Sequence, residues 1–449
     1  MTEQVIPANY LETKKEEARK TRWLTVWLLA GLQLTENSEG GVVNSLFPII
    51  RAGLGIGLTA LGELTAIGKF ARMLAGPMWS ILADRFGRKL MLIIGAMWCT
   101  FLVLAGFAQN YTQLLILYSL GVIGTVGGEP ISNGIVPDLF NPDERGKVFG
   151  TLRSITGVGS IIVTPLMGQL AGIPNNDGWR YGLWIIGGIN LAAAIASWFL
   201  IKDPVPHIKG QKSSGEASFK FSDVPKLFAI PTIAWMAVML IFLTVLVLYA
   251  FQVVYIVDTR GYSTQLATLL TSVYFIGFTI SSLVGGYLGD WFERKLGDTG
   301  RVTFMQIYLV LFAFMSYLAM QVNWPKTPAL AGISVYDILI WFVFGLIGSL
   351  GFAGCVLPLV SSVVPSRYRA SAFALLFSFI QGLLTAILAI FLGSLSKIFG
   401  EKNMMLYLVT IPYLINAVVW FVFYKTVPKD RERMRQQLLA EAAVPPKAS

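Results

Sequence analysis

The stretch Gly76-Pro77-Met78-Trp79-Ser80-Ile81-Leu82-Ala83-Asp84-Arg85-Phe86-Gly87-Arg88-Lys89 ends an apolar helix on an acid, turns at a glycine and closes on basic residues. On either side lie segments long enough, at ~20 apolar residues each, to cross a ~30 Å hydrocarbon core as helix. A related string, Gly286-Tyr287-Leu288-Gly289-Asp290, returns in the second half, with Arg294 and Lys295 just beyond. An acid at a helix end, facing bases across a tight turn, is a clamp between two membrane helices.

Working outward, apolar runs recur from Trp23 almost to Lys425 in a chain of 449 residues that is 55% hydrophobic and 13% charged. That composition, with a positive mean hydropathy, excludes an ordinary soluble domain. Short alternating segments of the β-barrel kind are absent. The expected fold class is an all-α polytopic membrane protein of twelve transmembrane helices in two pseudo-symmetric six-helix bundles. The spans fall near 23–51, 58–83, 90–108, 112–138, 147–171, 181–201, 230–257, 263–289, 302–322, 334–363, 370–396 and 404–424. The chain then divides into a tail (1–22), a first bundle (23–201), a linker (202–229), a second bundle (230–425) and a second tail (426–449).

The net charge of +10 is topological and does not signal nucleic acid. With the N-terminus inside, about 26 of the 35 Lys and Arg fall on the inner side. The outer loops keep Arg51, Arg180, Arg260, Lys326, Lys397 and Lys402. By the positive-inside rule both termini are cytoplasmic. Residues 1–22 lack the apolar core of a cleavable signal, so the first span directs insertion, and a bacterial inner membrane is the expected location. Cys99 and Cys355 sit in apolar spans as packing residues, and His207, the only histidine, lies in the linker. No metal site, nucleophile–base set or phosphate loop can be read. The expectation is a protein that is not an enzyme and holds no cofactor or metal.

An internal repeat supports the two halves. Gly121-Val122-Ile123-Gly124-Thr125-Val126-Gly127 matches Gly345-Leu346-Ile347-Gly348-Ser349-Leu350-Gly351, and the same offset of 224 carries Arg145 onto Arg369 and Phe149 onto Phe373. Two like halves suit a transporter that rocks about a central site.

On these residues the chain resembles the major facilitator superfamily over nearly its whole length. Asp84, Arg85, Gly87, Arg88 and Lys89 match its Gly-x-x-x-Asp-Arg/Lys-x-Gly-Arg/Lys-Arg/Lys signature, with Ser80 where the first glycine stands. Gly286 and Asp290 match in the second half. The resemblance implies that Asp84 is the charge relay of a latch that holds the halves outward-open, with Arg85, Gly87, Arg88, Lys89, Arg145, Gly286 and Asp290 as its other members. Gly128-Glu129, Pro137-Asp138-Leu139-Phe140 and Arg145 resemble the fourth-span region of Spinster-like lysolipid and sphingolipid transporters. That family's acid–arginine pair before a proline is here Glu39 and Gly40 before Pro48. The acid is kept and the arginine is lost. Gly157-Val158-Gly159 and Thr164-Pro165-Leu166-Met167-Gly168 are similar to a degenerate Gly-Pro motif of proton-coupled drug exporters.

Charged residues inside spans are costly and mark function. Counting ~1.5 Å per residue, Glu36 and Glu39 on span 1 and Lys69 and Arg72 on span 2 reach similar depths. Lys69 and Arg72 are three apart and share a face. Two acids facing two bases are either a buried ion-pair network or a site where a proton or a substrate anion competes for a partner. A second pair, Glu129 at the bend Gly127-Gly128-Glu129-Pro130 and Arg153 on span 5, is expected nearer the cytoplasm, with Pro130 favouring a kink. Spans 7, 8, 10 and 11 are nearly uncharged, their polar stock being Gln252, Tyr274, Ser281, Ser282, Ser361, Ser362 and Gln381. Charge on one wall and an aromatic surface on the other suit an amphiphile. The expected function is a secondary active transporter of an amphipathic organic solute, anionic or a lysolipid, working by alternating access as a proton-coupled exporter. A proton-coupled importer of organic acids or other nutrients is the alternative, and a non-transporting sensor of the same fold the last. Its energy source is the proton gradient, its partners are the substrate and the bilayer, and it acts as a monomer.

Overall fold

The computed structural model describes residues 20–140, 142–201, 224–243, 245–365 and 368–442. It is 89% helical. Contacts divide the chain into two units: Met1–Gly215 with Ser263–Thr268 and Ala389–Gly393, and Glu216–Tyr262 with Leu269–Leu388 and Ser394–Ser449.

The first unit holds six helical stretches: α1 (Arg22–Leu54), α2 (Leu58–Phe86), α3 (Arg88–Met97 and Thr100–Ala105), α4 (Tyr111–Thr125 and Gly128–Leu139), α5 (Pro142–Gln169) and α6 (Gly178–Leu200). The second holds α7 (Pro231–Met239 and Val245–Arg260), α8 (Thr264–Leu296), α9 (Gly300–Met320), α10 (Val335–Gly348 and Leu357–Val363), α11 (Arg369–Phe373 and Gln381–Phe399) and α12 (from Glu401–Met405 to Phe423–Ala442). Among the described residues seven stretches are long and apolar enough to cross a membrane by length and composition, and one of them, Thr264–Met320, takes in both α8 and α9. With α1 and α2, at 33 and 29 residues, the long helices include those that carry the interior charges. Phe199, Leu283, Tyr287 and Ile398 are among the large apolar side chains left exposed. Helices with apolar outsides, their backbone bonds satisfied internally, are what a bilayer requires. The fold is that of a polytopic helical membrane protein.

Each copy of the glycine repeat is a packing seam, as small residues are in membrane bundles. In α4 a Cβ on Gly121, Gly124 or Gly127 would strike Leu102, Trp98 or Trp79 of α3 and α2. In α10 one on Gly345, Gly348 or Gly351 would strike Tyr274, Phe278 or Tyr308 of α8 and α9. So both copies face the second and third helices of their own unit. The second unit goes further, setting backbone on backbone: a Cβ on Gly289 of α8 would lie 2.0 Å from the Gly354 carbonyl, and one on Gly354 would lie 2.1 Å from that of Gly285. In both units the third helix packs on the fourth and the sixth, α3 on α4 and α6, and α9 on α10 and α12.

Two connections among the described residues are tight turns. Only Gly87, at φ 101, separates α2 from α3, and that positive φ is why glycine stands there. The α8–α9 turn spans Gly297–Thr299, with Gly297 at φ 66. Between α9 and α10 a two-residue hairpin pairs Ala329–Leu330 with Ile333–Ser334. Beneath it Asp337, fully buried, accepts from the Tyr262 hydroxyl at 2.6 Å and lies 3.8 Å from Arg260. The Lys326 ammonium sits 3.6 Å from the centre of the Tyr262 ring and donates to the Arg260 carbonyl at 2.6 Å.

A charge cluster in the first unit and a charge network in the second

Glu36, Arg72 and Glu129 form one cluster. Span depth predicts Glu129 nearer the cytoplasm than the span 1 and span 2 charges; α4 breaks after Thr125 and restarts at Gly128, and Glu129 meets Arg72 of α2. Arg72 Nη1 donates to Glu129 Oε2 at 3.1 Å, and its Nη2 lies 3.6 Å from Glu36 Oε1. The three differ in exposure: the Glu36 side chain is 2% exposed, those of Arg72 and Glu129 44% and 49%.

Glu36 reaches its place through a missing side chain. A Cβ on Gly128 would lie 2.6 Å from Glu36 Oε2, so the carboxylate occupies the space a side chain would take. There it faces the first turn of the Gly128–Leu139 helix, whose free N–H groups favour an anion. Neither carboxylate oxygen has a partner at hydrogen-bond geometry. The Arg72 ion pair is the contact that offsets its burial.

Lys69 is different. It shares a face of α2 with Arg72, and among the described residues no carboxylate lies within 4.0 Å of it, the ion pairs of this region running through Arg72. Of the two bases, Arg72 is the one that pairs with described acids. The side chains of Glu39, Asp84, Arg145 and Arg153 lie outside the described residues. Glu63 accepts from the Tyr111 hydroxyl.

Of the residues expected to form a latch in this unit, Arg88 donates to the Gly134 carbonyl of α4. The Arg85 guanidinium lies 5.4 Å from the centre of the Phe86 ring, and Trp79 donates to the Ile123 carbonyl at 2.7 Å. Both bonds tie the α2–α3 hairpin to α4. Lys89 begins α3 beside Arg88.

In the second unit the related string anchors a larger network. Arg301, at the start of α9, donates to Asp290, to Glu293 at 2.6 Å and to the Gly354 carbonyl. Glu293 spends its other oxygen on Arg431 of the last helix, at 2.6 Å. Gly286 stands in open space. Sequence reading found Asp290 and missed Glu293, Arg301 as its partner, and Arg431. The last helix continues through position 426, where the sequence places a charged tail that begins as a short surface helix, and reaches Ala442. No periodic signal in so charged a segment marks Arg431 as docked.

The second unit's interior is aromatic. Tyr249 of α7, Tyr274 and Phe278 of α8, Phe312 of α9, Trp341 and Phe344 of α10 and Tyr413 of α12 form a continuous set of ring contacts, the closest being Phe312 on Tyr413 at 4.2 Å. Among the described residues no group of three or more His, Cys, Asp or Glu could hold a metal ion.

The sequence profile of the Major Facilitator Superfamily matches residues 30–384 and 250–446. A multidrug resistance protein, MdtG, of Yersinia enterocolitica is 34% identical over 157 residues, 34% of this chain and 37% of that protein. A hexuronate transporter of Bacillus subtilis is 25% identical over 281 residues, 60% of this chain and 64% of that protein. The chain therefore spans less than two thirds of the length of these curated relatives. A crystal structure of a bacterial homologue of the human lysosomal transporter Spinster, inward-facing and unoccupied, matches with a TM-score of 0.76 at 19% identity, covering 92% of this chain and 98% of that one. That likeness is one of fold.

Proposed function

Because this chain belongs to the Major Facilitator Superfamily and is a secondary transporter, we propose that it carries an amphipathic organic anion out of the cell, or to the outer leaflet, by proton-coupled alternating access. The observation that carries this reading is the division of charge on α2. Arg72 is shared by Glu36 and Glu129, whereas Lys69, on the same face, has no acid among the described residues. A shared arginine lets a proton on one carboxylate pass Arg72 to the other, which is how a carboxylate's proton affinity follows its partner. A lysine at membrane depth with no acid beside it among the described residues favours an anionic group of the cargo. The aromatic interior of the second unit suits the cargo's apolar part.

The relatives support the two ends of this class. MdtG is named for drugs, and the hexuronate transporter for a small organic acid, so uptake of organic acids is the second reading. The latch reading of Asp84, Arg85, Gly87, Arg88, Lys89, Arg145, Gly286 and Asp290 stays with the switching step, and Glu39 and Arg153 with the charge cluster. The chain works as a monomer in a bacterial inner membrane, both termini cytoplasmic and the proton gradient its energy source.

Purified protein in liposomes with an imposed pH gradient tests this with two probes, a fluorescent lysophosphatidate and radiolabelled glucuronate. At least one should move with the gradient. Glu36→Gln and Glu129→Gln should each cut gradient-driven flux at least tenfold, and Lys69→Gln should raise KM for the anion about tenfold or more. Gradient-driven flux that survives both carboxylate variants sinks the coupling role. Equal transport of the uncharged monoacylglycerol sinks the anion role of Lys69.

A further inference from the structure

The last helix carries two adjacent residues whose contacts the proposed site does not use. Asp430, only 4% exposed, accepts from the Thr232 backbone N–H at 2.8 Å. Thr232 is in the first turn of α7, where Pro231 offers no N–H and Ile230 provides no side-chain cap. The α7 N-terminus is thus capped in trans, by a carboxylate almost 200 residues away, where negative charge is favoured.

Arg431 spends each guanidinium nitrogen on a different part of the unit. Nε donates to Ser362 Oγ at 3.1 Å, near the end of α10. Nη1 donates to Asp298 at 3.1 Å, in the α8–α9 turn. Nη2 pairs with Glu293 Oε1 at 2.6 Å, near the end of α8, and the side chain is 11% exposed. Since Glu293 holds Arg301 with its other oxygen at 2.6 Å, the start of α9 joins the same network. Such a planar fork is a geometry that lysine's point charge cannot reproduce.

We propose that Asp430 and Arg431 are positioning residues of the transport cycle: through them the last helix holds the tail-side ends of α7, α8, α9 and α10 together, so that this end of the second unit moves as one block. The inference rests on family membership and on contacts within one unit. It does not depend on which cargo is carried.

Hydrogen exchange on the full-length protein in lipid nanodiscs tests it, comparing Arg431→Gln, Arg431→Lys and, as control, Glu432→Gln, whose partners Arg435 and Gln436 lie on its own helix. In Arg431→Gln, amides at 231–236, 291–300 and 357–362 should exchange together, at least tenfold faster, while 329–341 at the other end keep wild-type rates. Arg431→Lys should fall between, and Glu432→Gln should match wild type. With either probe that the protein carries, Arg431→Gln should lower turnover at least fivefold at an unchanged KM. Unchanged exchange, faster exchange confined to 423–442, or a raised KM at wild-type turnover would each overturn the proposal. If Arg431→Gln yields no folded protein, Arg431→Lys decides by the same comparison. If neither probe moves, the cargo reading fails alone and the exchange rates still decide this one.

Discussion

In the first unit one face of α2 carries Lys69 and Arg72, and two acids from neighbouring helices converge on the arginine. In the second, the helices of the same rank in the repeat bring tyrosines, phenylalanines and a tryptophan together. The same glycine heptad serves both. In α4 its glycines receive side chains, and the next one, Gly128, makes room for a carboxylate. In α10 it meets the backbone of α8 at Gly345 and rings at Gly348 and Gly351, and further along Gly354 meets the α8 backbone again. One inherited seam has been put to two uses, room for charge in one unit and close approach of helices in the other.

If that contrast is right, glycines of the two units should fail differently. The largest effect belongs to Gly289→Ala. Its Cβ would lie 2.0 Å from a main-chain carbonyl, and backbone cannot swing aside, so α8 and α10 must separate. We expect no folded protein, or a melting midpoint lower by roughly 5 °C or more, from a cost of at least ~2 kcal/mol. Size-exclusion chromatography and a thermal melt in detergent read it, and a midpoint within about 1 °C of wild type would break the comparison.

Gly128→Ala should act on function more than on fold. The obstacle there is the far end of the Glu36 side chain, which can move, but only out of its place beside Arg72. Gradient-driven flux should drop about tenfold while the melting midpoint changes by no more than a few degrees. Gly188→Ala in α6, with open space around it, should leave flux within twofold and gain up to ~1 kcal/mol of helix stability. Equal losses from both would show that the space at Gly128 has no special bearing on the charge cluster.

The smallest effect lies in the loop after α7. Burial, and after it the hydrogen bond to Asp337, push the Tyr262 phenol up to about 12. The folded state therefore favours the neutral phenol over an unfolded one that ionises near ~10. Its contribution is complete below pH ~10 and is lost as pH rises through about 12. The melting midpoint of wild type should fall faster than that of Tyr262→Phe above pH ~10, and the two curves should run parallel from pH 7 to 9. Curves parallel throughout would show that the Tyr262–Asp337 bond contributes nothing to this end of the unit.

Much of this molecule is legible in its residues. Apolar length gives the helices, Gly87 gives the tight turn, and the repeat gives the two like bundles. The candidate site was half legible. Counting residues from a span's end fixes a charge's height in the membrane but leaves the helix's rotation free. Height alone therefore set Glu129 nearer the cytoplasm than Arg72, and could not say which of Lys69 and Arg72 the acids reach. The break before Gly128 changes the rotation of everything after it, and no periodic pattern announces by how much. Arg431 was hidden for another reason. In a helix where most positions are charged, the one docked arginine looks like its solvated neighbours, and only its three partners, far off in sequence, distinguish it.

The single glycine between α2 and α3 has a mechanical consequence. A connection of one residue stores no slack, so the helix that bears Lys69 and Arg72 cannot slide or turn while α3 stays still. Arg88, on the far side of Gly87, grips α4 at Gly134, five residues past Glu129 in the same helix. A change of charge at Arg72 thus acts on a closed linkage, α2 to α3 to α4 and back, in which displacement at any one joint is felt at the other two.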